Sequence, residues 1–201
     1  MTILTEIPFG SRVYGTYDEN SDMDSVIIVD NENHQLRRTS DNKIWTINEF
    51  RDHLFRHYII ALEIWNYDQL LLKSFVPEGF TIDIHLLRQE ISTVSSNSWV
   101  KAKKKINVEA TKYPKGSSEY KKEIRKGMKS IFHSFRIIQF GIQLAKYGKI
   151  VDFSSANSIF ESIKNMEVDE LNNVLSSGNS YHQMRNNLLT DFRKLALKEQ
   201  I

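Results

Sequence analysis

The sequence predicts an α+β protein in which a small mixed sheet is followed by a helical C-terminal region. Two observations predict this class: every strand-like pattern lies before residue 90, and the chain reads as helix from residue 87 onward. We therefore expect two parts, a core over residues 1–90 and a helical domain over residues 91–201. The length of 201 residues fits one compact domain or two small ones that share a core.

Three segments of the first part carry strand signals. Residues 3–9 form a short strand that Gly10 and Ser11 end, and Ser25–Val29 is an apolar, β-branched run typical of a buried strand. Residues 80–86 alternate apolar and polar side chains, which predicts a third strand. The polar stretch over residues 30–43 is interpreted as a loop or an edge hairpin.

Helical periodicity covers most of the remaining chain. Residues 46–75 are predicted to be helical, with Thr46 and Glu49 at the spacing of a capping box and a break at residues 66–68. Residues 121–147 form the clearest helix, with an apolar stripe on one face. That stripe consists of Met128, Ile131, Phe132, Phe135, Ile138, Ile142 and Ala145. Further helices are expected from about residue 155, from about residue 169, and over residues 181–199.

Composition excludes several classes of protein. The hydrophobic fraction of 40% is ordinary for a globular chain that buries a core. Cysteine is absent, which excludes disulfides, thiolate metal sites and cysteine nucleophiles. No apolar run approaches the roughly 18 residues that span a bilayer, and the N-terminus lacks the pattern of a signal peptide. We therefore expect a cytoplasmic protein without a membrane partner.

Charge is distributed unevenly although the net charge is only +2. Residues 1–30 contain six acidic residues and one basic residue, whereas residues 101–136 contain twelve basic residues and three acidic ones. An acidic cluster attracts cations, and a basic segment attracts phosphates or an acidic partner. The alternative interpretation of the basic segment is a solvated helix face.

The segment FGSRVYGTYDENSDMDSVIIV carries the strongest chemical signal. Gly10 and Ser11 follow a strand, where a close backbone and a hydroxyl group can bind phosphate. Asp22 and Asp24 are two residues apart at the entrance to the next strand, so their carboxylates share a face and repel unless a cation lies between them. Mg²⁺ prefers such oxygen ligands together with substrate phosphates. The alternative is that both aspartates only stabilise a turn.

A third carboxylate would complete a site for two metal ions, and Asp83 is the candidate. Alternation places Asp83 opposite Ile82 and Ile84 on the predicted strand. If that strand pairs with Ser25–Val29, Asp83 joins the two earlier aspartates and helps to deprotonate the attacking hydroxyl group.

These motifs together resemble the DNA polymerase β-type nucleotidyltransferase superfamily. The resemblance implies a mixed sheet with flanking helices and a cleft for nucleotide and acceptor. It also implies transfer of a nucleoside monophosphate from an NTP, for which we expect ATP, with release of pyrophosphate. It implies dependence on Mg²⁺, with two ions and with Mn²⁺ as a substitute. The matching residues are Gly10, Ser11, Gly15, Ser21, Asp22, Asp24 and Asp83. The resemblance assigns catalysis and metal binding to Asp22, Asp24 and Asp83, and nucleotide binding to Gly10, Ser11, Arg12 and Ser21.

Within that superfamily the extended pattern is most similar to the predicted nucleotidyltransferases found near RNA ligases. That branch has a helix with the pattern K-x-x-x-H-x-x-R, which Lys129, His133 and Arg136 match. The resemblance implies that this stripe contacts the triphosphate or an RNA phosphate, and His133 is expected to add a pH dependence near neutrality. Ordinary surface charge is the alternative interpretation.

The sequence leaves the acceptor open. RNA is one expectation, with the basic stretch over residues 101–126 holding its backbone and with RNA processing as the role. A protein hydroxyl, a small molecule or a second nucleotide are others. A catalytically inactive module that binds nucleotides or a partner is the third class.

Overall fold

The computed structural model describes residues 2–17, 19, 21–30 and 42–198. It confirms the predicted fold class, because a three-stranded mixed sheet lies beside a larger set of helices. The strands are β1 (Ile3–Pro8), β2 (Ser25–Val29) and β3 (Asn42–Thr46), in the order β1-β2-β3. Strand β1 is antiparallel to β2, and β3 is parallel to it.

The helices follow the predicted distribution, with the longest ones in the second half of the chain. Their bounds are α1 Ser11–Tyr14, α2 Ile47–Phe55, α3 Ile59–Tyr67, α4 Gln69–Leu72, α5 Ile84–Lys104, α6 Ser118–Tyr147, α7 Asn157–Ile163, α8 Val168–Leu175 and α9 Ser180–Lys198. A π-helical turn (Lys105–Glu109) and a 3₁₀ turn (Ala110–Lys112) extend α5 toward α6. Among the described residues, no helix has the length and apolar character needed to cross a membrane.

The predicted capping box at the start of α2 is present. The Thr46 hydroxyl accepts a hydrogen bond from the Glu49 backbone at 3.1 Å, and the Glu49 carboxylate accepts one from the Thr46 backbone at 2.7 Å. The helical stretch predicted over residues 46–75, with one break, is three helices in the structure. The predicted break is found at Asp68, and an unpredicted one lies at residues 56–58, where His57 adopts a left-handed φ of 57°.

The predicted strand over residues 80–86 is wrong, because Asp83 begins helix α5. Its carboxylate accepts hydrogen bonds from the backbone N–H groups of His85 (2.8 Å) and Leu86 (3.1 Å), which an aspartate at a helix start is well suited to do. Leu87 and Ile91 then recur at helical spacing and are fully buried. The short apolar and polar alternation before them therefore reflects a helix start and not a strand.

Strand β3 takes a position that the sequence analysis assigned to a loop or hairpin. Residues 31–41 of that predicted segment lie outside the described residues, but Asn42 and Lys43 belong to β3. Ile44 pairs with Ile27 of β2, and the neighbouring Trp45 is buried. Tertiary pairing with β2 determines this strand, since its own sequence has only two apolar residues.

Helix α6 is the central element of the core. The predicted stripe is buried at Met128, Ile131, Phe132, Phe135, Ile138 and Ala145, and it is half-buried at Ile142. Its first part packs against α5, α7 and α8, and its second part packs toward the sheet and α3. The main apolar cluster joins residues on both sides of the boundary predicted near residue 90. This packing fixes which polar side chains of α6 turn toward the sheet.

Candidate active site

A cavity of about 670 Å³, here called the central cavity, lies between the motif segment and helices α5 and α6. Gly10, Ser11 and Asp24 line it from the sheet side. The stripe predicted on α6 lines the opposite side with Lys129, His133 and Arg136. Its size is in the range of small-molecule sites. The structure therefore brings the two sequence motifs, more than a hundred residues apart, into one cleft.

Gly10 and Asp24 are in such close contact that a larger residue would not fit at position 10. Gly10 has a φ of 81°, and a Cβ built there would lie 3.1 Å from both Cβ and Cγ of Asp24 and closer still to its Oδ2. The Phe9 backbone N–H also donates to the Asp24 carbonyl oxygen at 3.0 Å. Only glycine both adopts this positive φ without strain and leaves room for the Asp24 side chain. The Asp24 carboxylate is therefore held against the backbone that begins α1.

Of three other motif residues, Arg12 belongs to α1, whereas Ser21 and Asp22 lie on the loop that leads to Asp24. None of these three residues belongs to the described wall of the central cavity. The Arg12 guanidinium donates to the Ser21 carbonyl oxygen at 3.0 Å and lies 5.4 Å from the centroid of the Tyr17 ring. These contacts of Arg12 connect α1 to the loop that carries the two aspartates.

Asp83 is not brought to this group. Its carboxylate caps α5, its backbone N–H donates to His57 Nε2 at 2.7 Å, and it is absent from the described wall of the central cavity. Hydrogen bonds from the backbone of Leu86 and His85 lower the pKa of the Asp83 carboxyl. The expected position of Asp83 on the same sheet face as Asp22 and Asp24 is wrong, because its segment forms a helix.

The surroundings of His133 favour its neutral form. Its Nδ1 accepts a hydrogen bond from the Arg136 guanidinium at 2.8 Å. Burial lowers the pKa of His133 well below its usual value, and the positive charges of Arg136 and Lys101 lower it further. These surroundings oppose the change of His133 charge near neutral pH that the sequence analysis expected.

Arg136 takes part in a buried network and not in an exposed stripe. Only 7% of Arg136 is exposed, and its guanidinium lies 3.4 Å from the Glu63 carboxylate and 3.6 Å from the centroid of the Tyr14 ring. The Tyr14 hydroxyl donates to the same carboxylate. Burial raises the pKa of Glu63 and raises that of Tyr14 well above its usual value. The network joins α1, α3 and α6 beneath the central cavity.

Three lysines that the sequence analysis did not assign to the nucleotide line the central cavity beside Lys129. These are Lys101 on α5, Lys105 after it, and Lys126 on α6. Glu123 binds Lys105 at 2.6 Å and Lys126 at 2.5 Å, and these lysines lower the pKa of Glu123 to about 2. All of these lysines belong to the basic segment that the sequence analysis assigned to an RNA backbone. The i, i+4 spacing of 101 and 105 was the signal that they share one face.

Lys101 and Lys129 are the cations best placed to receive a ligand. Both are exposed on the wall of the central cavity, and neither forms a hydrogen bond or ion pair within the described residues. A lysine without a protein partner can turn toward an incoming phosphate without breaking an existing bond.

The donors present fit a divalent ion that arrives with a nucleotide. In the part of the chain that the structure describes, no group of three or more histidine, aspartate or glutamate side chains is arranged to hold a metal. Two carboxylates, Asp22 and Asp24, lie in the three residues before β2. Mg²⁺ is often held by one or two carboxylates together with substrate phosphates and water. The predicted site for two metal ions needed a third carboxylate, which the sequence analysis assigned to Asp83, and Asp83 does not lie with this pair.

Comparison with known proteins agrees with the motif and with the fold. A family model of the nucleotidyltransferase domain matches residues 6–106, which is half of the chain. The match runs from β1 through α5 and includes Gly10, Ser11 and both aspartates of the motif. Searches of curated proteins and of solved structures gave no match. The glycine–serine turn, the paired aspartates, the mixed sheet and the family match agree, and the chain belongs to the nucleotidyltransferase domain family of the polymerase β-type superfamily.

Proposed function

We propose that this protein transfers a nucleoside monophosphate from an NTP, with ATP as the expected donor, to a hydroxyl group in a Mg²⁺-dependent reaction. One observation carries the proposal. The central cavity combines the Gly10–Ser11 turn and Asp24 with four lysines from a different part of the chain. An acidic group and a basic group on opposite walls match the metal ion and the phosphates of a bound nucleotide.

The lysines of the central cavity would bind the triphosphate. Lys101 and Lys129 each carry a positive charge on the cavity wall. Neither forms a hydrogen bond or an ion pair with a described residue. Arg136 adds a buried Nε–H group that makes no hydrogen bond within the described structure. Charge-assisted hydrogen bonds from these groups would stabilise the leaving pyrophosphate as its charge develops.

The reaction forms one bond and breaks one. The acceptor oxygen bonds to the α-phosphorus, the bond from that phosphorus to the oxygen bridging to the β-phosphate breaks, and pyrophosphate leaves. Asp24, the motif carboxylate on the cavity wall, receives the hydroxyl proton. Asp22 and Asp24 would hold Mg²⁺, or Mn²⁺ in its place, which when bound neutralises phosphate charge and lowers the pKa of the hydroxyl group.

RNA is the acceptor that we propose, with RNA processing as the role. The resemblance of GSRVYG, SDMD and the K-x-x-x-H-x-x-R helix to the branch found near RNA ligases supports it. Basic side chains of residues 101–126 that face away from the central cavity also support it, since phosphate backbones bind such surfaces. A protein or small-molecule hydroxyl remains the alternative acceptor.

A catalytically inactive nucleotide-binding module is a second candidate, which one observation favours. Within the described residues, no group of three or more histidine, aspartate or glutamate side chains is arranged to hold a metal. Such a module would bind nucleotide in the central cavity without turnover.

The test is label transfer from ATP to a panel of RNA, protein and metabolite acceptors. Label in the α-phosphate should reach an acceptor when Mg²⁺ is present, and label in the γ-phosphate should be released in pyrophosphate. EDTA should abolish both events. Transfer of the γ-label to the acceptor would contradict the proposal, and ATP binding without transfer to any acceptor class would support the inactive module.

A further inference from the structure

A second cavity of about 670 Å³, here called the side cavity, lies along the N-terminal half of α6. Its wall is formed by the segment after α1, by α6, and by the connection between α7 and α8. The side cavity and the central cavity share Thr16 and Phe160 in their walls. The two spaces therefore adjoin each other, and α6 presents side chains to both.

We propose that the side cavity is the acceptor site and that it takes a phosphorylated nucleoside, either free or as the end of a single-stranded polynucleotide. The proposal rests on the proposed function, because it names the acceptor of that reaction. Most of the side cavity is built by residues 115–171, which lie beyond the residues 6–106 that match the nucleotidyltransferase domain. The site is therefore a feature of this chain's own helical region.

Proximity is the first argument. In-line displacement needs the acceptor oxygen within about 3–3.5 Å of the α-phosphorus and on the side opposite the leaving pyrophosphate. Acceptor and triphosphate must then occupy separate spaces that meet at the reacting atoms. Thr16 lies two residues after the Ser11–Tyr14 helix, and its backbone N–H donates at 2.9 Å to the carbonyl oxygen of Ser11, a residue of the central cavity. The side cavity meets this requirement.

The apolar lining is the second argument. Tyr17, Tyr120 and Phe160 supply aromatic faces, and Met128 and Met166 supply apolar surface beside them. Aromatic side chains bind nucleobases by stacking, which tolerates any base. The side cavity thus offers a surface for the base of an acceptor nucleotide.

Charge is the third argument. Lys115 and Lys121 are exposed on the wall of the side cavity, and neither forms an ion pair or hydrogen bond within the described structure. Lys164 in the same wall is paired with Glu161 at 2.5 Å. The unpaired lysines suit the phosphate of a nucleotide, while the carboxylate of Asp169 can accept a hydrogen bond from a ribose hydroxyl. The side cavity thus contains groups suited to the base, the phosphate and the sugar of a nucleotide. A protein acceptor that reacts through a side-chain hydroxyl group would not require all three.

The experiment measures binding of a fluorescein-labelled single-stranded RNA by anisotropy, and binding of UMP by its competition with that RNA. Lys121→Glu removes a cation from the side cavity, and Tyr120→Leu removes an aromatic face while keeping apolar volume. Lys146→Glu is the matched control, since Lys146 is an exposed lysine near the end of α6 that lies outside the basic stretch and outside the described walls of both cavities. Affinity for ATP with Mg²⁺ is measured on each variant.

We expect Lys121→Glu and Tyr120→Leu each to weaken RNA binding about fivefold or more. Lys146→Glu should change it less than about twofold, and all three variants should bind ATP as the wild type does. Competition by UMP with the same dependence on Lys121 identifies a free nucleotide as a sufficient ligand, and binding of RNA alone identifies a polynucleotide end. Either result supports the proposal.

Three results would overturn it: equal weakening by Lys121→Glu and Lys146→Glu, unchanged RNA binding in both side-cavity variants, or no binding of RNA or UMP to the wild type. Failure of the proposed function gives a different pattern. In that case the wild type would not bind ATP, whereas RNA binding would still depend on Lys121 and Tyr120.

Discussion

Replacing Asp24 with asparagine should lower nucleotidyl transfer about a thousandfold or more while leaving the protein folded. Asparagine keeps the shape that packs against Gly10 but loses the negative charge that would bind the metal ion and receive the proton. Metal stabilisation of a phosphoryl transition state supplies several kcal/mol, and about 4 kcal/mol corresponds to this factor. The measurement is the initial rate of α-label transfer, with circular dichroism as the check on folding.

Asp83→Asn is the matched control for this variant. Asparagine is as good a residue at a helix start as aspartate, so α5 should keep its cap. Because Asp83 lies away from the central cavity, transfer by Asp83→Asn should stay within about twofold of the wild type. A loss equal to that of Asp24→Asn, or wild-type rates in Asp24→Asn, would contradict the site described above.

Replacing Glu63 with methionine should destabilise the protein by about 3–5 kcal/mol, the usual cost of leaving one partner of a buried ion pair alone. Glu63 is 2% exposed, and its partner Arg136 would remain buried without a carboxylate. The measurement is urea unfolding, in which the midpoint should fall while the slope stays constant.

The double variant Glu63→Met with Arg136→Met separates the ion pair from simple packing. Replacing both partners with apolar side chains of similar size often costs little, so much of the lost stability should return. If the single variant lost less than about 1 kcal/mol, or if the losses simply added in the double variant, the buried pair would not be what joins α1, α3 and α6.

The sequence was sufficient for the parts of the fold that local pattern determines. Strand β2 has the predicted bounds, because an apolar β-branched run has few other stable arrangements. The apolar stripe of α6 is buried as expected, because a long helix with one apolar face must turn it inward. The Gly10–Ser11 turn and Asp24 were also found, since a strand end followed by glycine and then by paired aspartates is a local signal.

Other features depend on contacts that the sequence does not display. Strand β3 exists through its pairing with β2, and the segment around Asp83 became a helix because Leu87 and Ile91 join the core. Arg136 had the spacing of a surface stripe, but the buried carboxylate that pairs with it comes from α3. A glutamate in the apolar run IIALEIW of α3 was the one local sign that a cation would be buried against it.

The central claim is that the central cavity is the nucleotide site, and calorimetric titration of ATP in the presence of Mg²⁺ tests it most directly. Lys129→Ala removes a cation of the central cavity, and Lys103→Ala removes an exposed lysine of α5 that is absent from its described wall. Lys129→Ala should weaken ATP binding about tenfold, as expected for a charged hydrogen bond to phosphate, while Lys103→Ala should match the wild type. EDTA should weaken binding in all three proteins. Equal affinity of Lys129→Ala and the wild type, or affinity that does not change when the metal is removed, would contradict the claim.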